Sequence, residues 1–133
     1  MERVFDASDE SLHDVLAFVE EELDKHDCDI KTTMMITVVV EELFVNIAHY
    51  AYEGKEGSAA VSVEFLNNDV VIRFTDTGIP FDPTAKEDPD INASVEDRQI
   101  GGLGIYMSKK TMDDFRYKRE GDKNILTIRK AIH

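Results

Sequence analysis

The first sustained pattern along the chain has a helical period. Ser8 precedes Asp9 and Glu10, acids suited to the positive end of a helix, and Leu12, Val15, Leu16, Val19 and Leu23 then recur at three- and four-residue steps. This predicts an amphipathic helix with Ser8 as its N-cap. After a polar break over 25–29, a second stripe of Ile36, Val39, Val40, Leu43, Phe44, Ile47 and Ala51 predicts a longer helix ending near Tyr52. Beyond the breaker segment 54–58 the period becomes two. Val61, Val63 and Phe65 alternate with polar residues, Asn67-Asn68-Asp69 supplies a turn, and Val70, Ile72 and Phe74 alternate again, which predicts a hairpin.

Residues 82–100 are polar, contain Pro83 and Pro89 and show no sustained periodicity, so they are expected to form a long loop of the kind that usually carries function. Past Gly101-Gly102 a short helix is predicted over 103–112, then strands over 115–119 and 124–130 joined across Gly121. With a short strand at the N-terminus, strands and helices segregate along the chain. That order points to a two-layer α+β sandwich.

Composition narrows the function classes. At 133 residues and 42% hydrophobic, the chain is long enough to bury a core, and a single domain over 1–133 is expected. The lone Cys28 excludes an intramolecular disulfide, and the absence of a basic-then-apolar start leads to the expectation of a soluble, cytoplasmic protein. A net charge of -13 opposes binding to nucleic acid or to a membrane of anionic lipid. The charge is uneven, since residues 101–133 hold 8 basic and 4 acidic side chains against 7 and 24 in residues 1–100. An ordinary solvated strand pair accounts for this, although such a patch could also steer an acidic partner.

Three local features carry chemistry. Glu42 and Asn46 stand four apart on the second predicted helix, so they share a side with β-carbons about 5–6 Å apart and can share a ligand. At about 100° per residue both flank the core-facing stripe, whereas Glu41 faces water. Asp76-Thr77-Gly78 directly follows a strand, where a carboxylate can accept from a ligand amino group while glycine lets the backbone approach. Gly101, Gly102 and Gly104 open a helix whose free N–H groups favour phosphate. The first two also have plainer explanations, a surface pair and a simple turn. Neither a dinucleotide fingerprint nor a P-loop is present, because Met107 stands where the third glycine should be and no G-x-x-x-x-G-K-[ST] occurs. The scattered His13, His26, His49 and His133 offer no zinc site.

Taken in order, the three features resemble the motifs of one family. Glu41-Glu42-Leu43-Phe44-Val45-Asn46-Ile47-Ala48 resembles the N-box of the GHKL, or Bergerat-fold, ATPases. The run Asp76-Thr77-Gly78-Ile79-Pro80-Phe81-Asp82-Pro83 is similar to their first glycine box in its anti-sigma-kinase form, and Gly101-Gly102-Leu103-Gly104-Ile105-Tyr106-Met107 to the second. The similarity covers almost the whole chain. It implies a mixed, mostly antiparallel sheet covered on one face by helices.

By that resemblance, Asn46 coordinates Mg2+, Glu42 is the general base on the acceptor hydroxyl, and Asp76 reads the adenine amino group, with Gly78, Pro80 and Phe81 around the base. Gly101, Gly102, Leu103 and Gly104 meet the phosphates, and residues 82–100 form an ATP lid in which Lys86 or Arg98 reaches the γ-phosphate. Where the family has a histidine before Ala51-Tyr52, this chain has Tyr50, with His49 one residue early. The implied activity is that of an anti-sigma-type serine/threonine protein kinase using ATP and acting on a STAS-type anti-sigma-factor antagonist. The resemblance also implies a sigma factor as second partner and a homodimer. A nucleotide-switched binding module without phosphoryl transfer is the alternative, and an ATP hydrolase is a third class.

Overall fold

A computed structural model describes residues 1–83 and 102–132. Five strands, β1 (Glu2–Asp6), β2 (Ser58–Leu66), β3 (Asp69–Asp76), β4 (Asp114–Glu120) and β5 (Lys123–Ala131), form one sheet in the order β1-β2-β3-β5-β4. Every pairing among them is antiparallel, so the parallel contribution implied by a mixed sheet is absent from the described residues. Among the described residues three α-helices accompany it: α1 (Leu12–Lys25), α2 (Ile30–Asn46) and α3 (Gly102–Thr111). The α+β class expected from the sequence is the class observed. No helix among the described residues is long and apolar enough to cross a membrane.

Alternation along the strands sorts the two faces. Val61 and Val63, then Val70, Ile72 and Phe74, then Leu126 and Ile128 are buried, and they meet Val15, Val19 and Leu23 of α1 and Ile36, Val40 and Phe44 of α2 in one core. The other face carries polar side chains, for example Arg73 opposite Thr127, with Arg73 Nε donating to Thr127 Oγ1 at 3.4 Å. Asn67, at φ 57°, and Asn68 make the two-residue connection of the β2–β3 hairpin; the positive φ is one that asparagine tolerates.

Two boundaries differ from the sequence reading. Ser8 does not cap an α-helix with its side chain; a 3₁₀ turn over Asp9–Ser11 intervenes, closed by Ser11 N donating to Ser8 O at 3.1 Å, and α1 begins at Leu12. The second helix does reach Ala51, but its last turn, Ile47–Ala51, is π-helical. Its start is capped as a helix should be, with Asp29 accepting from Thr32 N at 2.7 Å.

Candidate functional site

The inward column of the sheet changes character at one end. In register, Ile72 faces Ile128, Phe74 faces Leu126, and the next pair is Asp76 opposite Asn124, both 5% exposed. A buried carboxylate must be held by donors. Asp76 Oδ1 accepts from Gly78 N at 2.9 Å and from Asn124 Nδ2 at 2.9 Å. Asn124 Nδ2 also donates to Ile79 O at 2.7 Å, while Asn124 Oδ1 accepts from Tyr117 OH at 2.5 Å and Phe81 N at 3.4 Å. Among the described residues, no group donates to Asp76 Oδ2.

That carboxylate lines a largely apolar cavity. Its walls include Leu43, Asn46 and Ile47 from α2 and the π turn, Phe81 and Pro83 from the loop after β3, and Ile105 from α3. The turn Asp76-Thr77-Gly78 is held against this cavity from three sides. Thr77 N donates to Tyr52 OH at 3.0 Å, and the same hydroxyl donates to Ser58 O. Arg119 Nη1 donates to Gly78 O at 2.9 Å, and Ile79 N donates to Ala51 O at 2.8 Å. A β-carbon on Gly78 would lie 2.6 Å from the Ala51 carbonyl carbon, so only glycine lets the loop approach the π turn this closely.

The π turn carries both His49 and Tyr50. His49 Nε2 pairs with Asp9 Oδ1 at 2.8 Å, facing the 3₁₀ turn, whereas Tyr50 stacks on Phe81 with ring centroids 6.2 Å apart at 25°. The tyrosine at the family's histidine position therefore faces the loop after β3.

On α2, Glu41 is exposed while Glu42 and Asn46 are half-buried, as their spacing predicts. Asn46 Nδ2 donates to Glu42 O at 3.0 Å and Glu42 Oε1 at 3.3 Å. Two acceptors orient the amide, and its Oδ1 has no partner among the described residues. Gly104, in the first turn of α3, lies against the Glu42 carboxylate, where a β-carbon would come within 2.6 Å of Oε2. The structure thus brings Glu42, Asn46, Asp76, Gly78, Phe81 and Gly104 to one end of the sheet, with Pro80 between the latter loop residues. Gly102 and Leu103 begin α3; Lys86, Arg98 and Gly101 lie outside the described residues.

Sequence reasoning missed Asn124, Tyr117, Arg119 and Tyr52, which hold Asp76 and its turn. A signal for Asn124 was present: it occupies the inward phase of the alternation continued by Leu126 and Ile128.

The histidine kinase-like ATPase domain family matches residues 5–130. Serine-protein kinase RsbW of Listeria monocytogenes is 30% identical over 99 residues, covering 69% of this chain and 62% of the relative. Serine/threonine-protein kinase BtrW of Bordetella bronchiseptica is 27% identical over 94 residues, covering 70% and 66%. The chain thus matches somewhat under two thirds of the length of these relatives. Among solved structures, the RsbU and RsbW domains of a Mycobacterium tuberculosis protein superpose with a TM-score of 0.65 at 14% identity, covering 99% of this chain and 32% of that one. A blue-light activated histidine kinase of Erythrobacter litoralis superposes at 0.61 with 15% identity, covering 80% and 32%. The family match spans nearly the whole sequence, and the chain belongs to the histidine kinase-like ATPase domain family.

Proposed function

We propose that this domain binds ATP with Mg2+ and transfers its γ-phosphoryl group to a serine or threonine of a STAS-type anti-sigma-factor antagonist, with a sigma factor as a second partner. The observation that carries the reading is Asp76: a buried carboxylate with two donors on Oδ1 and, among the described residues, none on Oδ2, in a largely apolar cavity also lined by Asn46. An adenine amino group supplies that donor, and the apolar walls suit the purine faces. The similarity to the kinases RsbW and BtrW supports the reaction.

Magnesium fits the residues present. It prefers oxygen ligands, keeps several waters and is held by one or two protein groups together with substrate phosphates. Asn46 Oδ1 is such an oxygen, without a partner among the described residues while its Nδ2 is directed at Glu42. When bound, the ion neutralises phosphate charge in a chain of net charge -13 that would otherwise repel ATP. The N–H groups at the start of α3, at Gly102 and Gly104, face the same need, with Gly101 just before the helix and Leu103 within it. Lys86 or Arg98 is assigned to the γ-phosphate by the family resemblance alone.

Glu42 is then the base. The acceptor hydroxyl oxygen forms a bond to the γ-phosphorus as the bond from that phosphorus to the β–γ bridging oxygen breaks; ADP leaves and the hydroxyl proton passes to the Glu42 carboxylate. The test compares wild type with Glu42→Gln by calorimetry with Mg-ATP and by label transfer to a purified STAS-type protein from the source cell. Glu42→Gln is expected to keep ATP affinity and lose transfer by about 10²–10⁴-fold. Full transfer by the variant removes the base assignment. Nucleotide-dependent binding without transfer by either form favours the switch module.

A further inference from the structure

We propose that the groove between α2 and α3 is the docking site for the acceptor protein. It would take an apolar segment that carries a lysine or arginine near the serine or threonine to be phosphorylated. This rests on the kinase reading above and adds to it the surface and the chemistry of the partner.

The groove begins as an exposed stripe. Met34 and Val38, which line it, stand four apart on α2, and each is more than 60% exposed. Residues at that spacing line one side of a helix, and the next two members are Glu42 and Asn46. An apolar ridge therefore leads directly to the proposed base. Met107 of α3, 51% exposed, forms part of the facing wall. Exposed apolar surface of this extent along two neighbouring helices marks an interaction site, and methionine walls adapt to varied side chains.

Position relative to the nucleotide cavity favours an acceptor. Asn46 lines the cavity that holds Asp76, whereas Glu42, hydrogen-bonded to Asn46, lines the groove. The pair separates the two spaces. A hydroxyl entering along the groove reaches Glu42 from outside the cavity, where positioning an acceptor beside the base is what phosphoryl transfer requires.

Charge selects the partner. The charged side chains that line the groove among the described residues are Glu41 and Glu42, with no cation beside them. A basic residue in the docked segment complements them. A second copy of this chain seated symmetrically here would bring four carboxylates to one interface and cover the base, so it is a poor occupant.

The experiment places a photo-crosslinking residue, p-benzoylphenylalanine, at Val38 of the full chain, with Arg73 on the opposite sheet face as control site. Irradiation in source-cell lysate with Mg-ATP is followed by sequencing of the joined peptides and mapping of phosphorylation that wild type adds and Glu42→Gln does not. The acceptor so identified is purified, and transfer to it is measured for Val38→Lys and Met34→Lys. These exposed sites tolerate lysine, which is verified by an unchanged Mg-ATP affinity. Expected are a Val38 crosslink on the segment that bears the phosphorylated residue and a loss of kcat/KM of roughly tenfold or more, borne mainly by KM. A crosslink to a second copy or to a remote segment, or transfer indifferent to both lysines, overturns the groove alone. Absence of transfer to any protein by wild type overturns the kinase reading and the groove together.

Discussion

Gly78 and Gly104 stand on opposite flanks of the site, and what surrounds them differs in kind. Gly78 lies against main chain, the carbonyl of Ala51 in the π turn, with Ile79 N and Arg119 fixing the loop on either side. Gly104 lies against the end of one side chain, the carboxylate of Glu42. Backbone cannot step aside without undoing hydrogen bonds, whereas a glutamate has rotamers to spare. The Asp76–Gly78 flank is therefore built as a fixed template, and the Glu42–Gly104 flank around a side chain that can rearrange.

The sharpest way to break this contrast is Gly78→Ala. Its methyl group meets backbone, so a loss on the order of 3 kcal/mol in denaturant unfolding is expected, at the upper end for overpacking, with loss of Mg-ATP binding. Asp76→Asn tests the same flank without added volume. Placing an amide donor where a carboxylate accepts is expected to weaken ATP binding about 100-fold, or about 2.7 kcal/mol, by calorimetry, and to narrow the preference over GTP. Unchanged affinity would remove Asp76 from base recognition. Tyr117→Phe deletes one donor to Asn124 and leaves the ring; about 1 kcal/mol of stability should go, and ATP affinity should fall less than in Asp76→Asn. The smallest stability effect belongs to Gly104→Ala. Alanine improves helix propensity in α3 by up to about 1 kcal/mol, which offsets the displacement of Glu42, so the unfolding midpoint should barely move. Transfer should nonetheless slow, because the carboxylate no longer rests where it did. A Gly104→Ala protein as unstable as Gly78→Ala would abolish the distinction.

Sequence patterns revealed what depends on local rules. The alternation Val70, Ile72, Phe74 carries on to Asp76, so the buried phase of β3 ends on a carboxylate that could be read directly. Glu42 and Asn46 follow equally from helical spacing. The π turn was not legible, because Ile47–Ala51 contains neither glycine nor proline and its widened turn is fitted to Ile79 and Gly78, residues far along the chain. Asn124 carried a signal, an amide in an inward phase, but its partners Asp76 and Ile79 emerge only when β5 is set beside β3. Ser8 looked like a helix cap by type; a 3₁₀ turn took its place.

The place of β5 in the sheet also bears on how the protein is made. Last of the five strands in sequence, it lies between β3 and β4 and supplies Asn124 to the aspartate turn. During synthesis, α1, α2 and the β1–β2–β3 sheet can assemble as each segment leaves the ribosome. The carboxylate of Asp76 must then wait beside an unpaired strand edge until residues 123–131 emerge. Competence to hold a nucleotide thus waits until residues 123–131 have been made and the strand they form sets Asn124 beside Asp76.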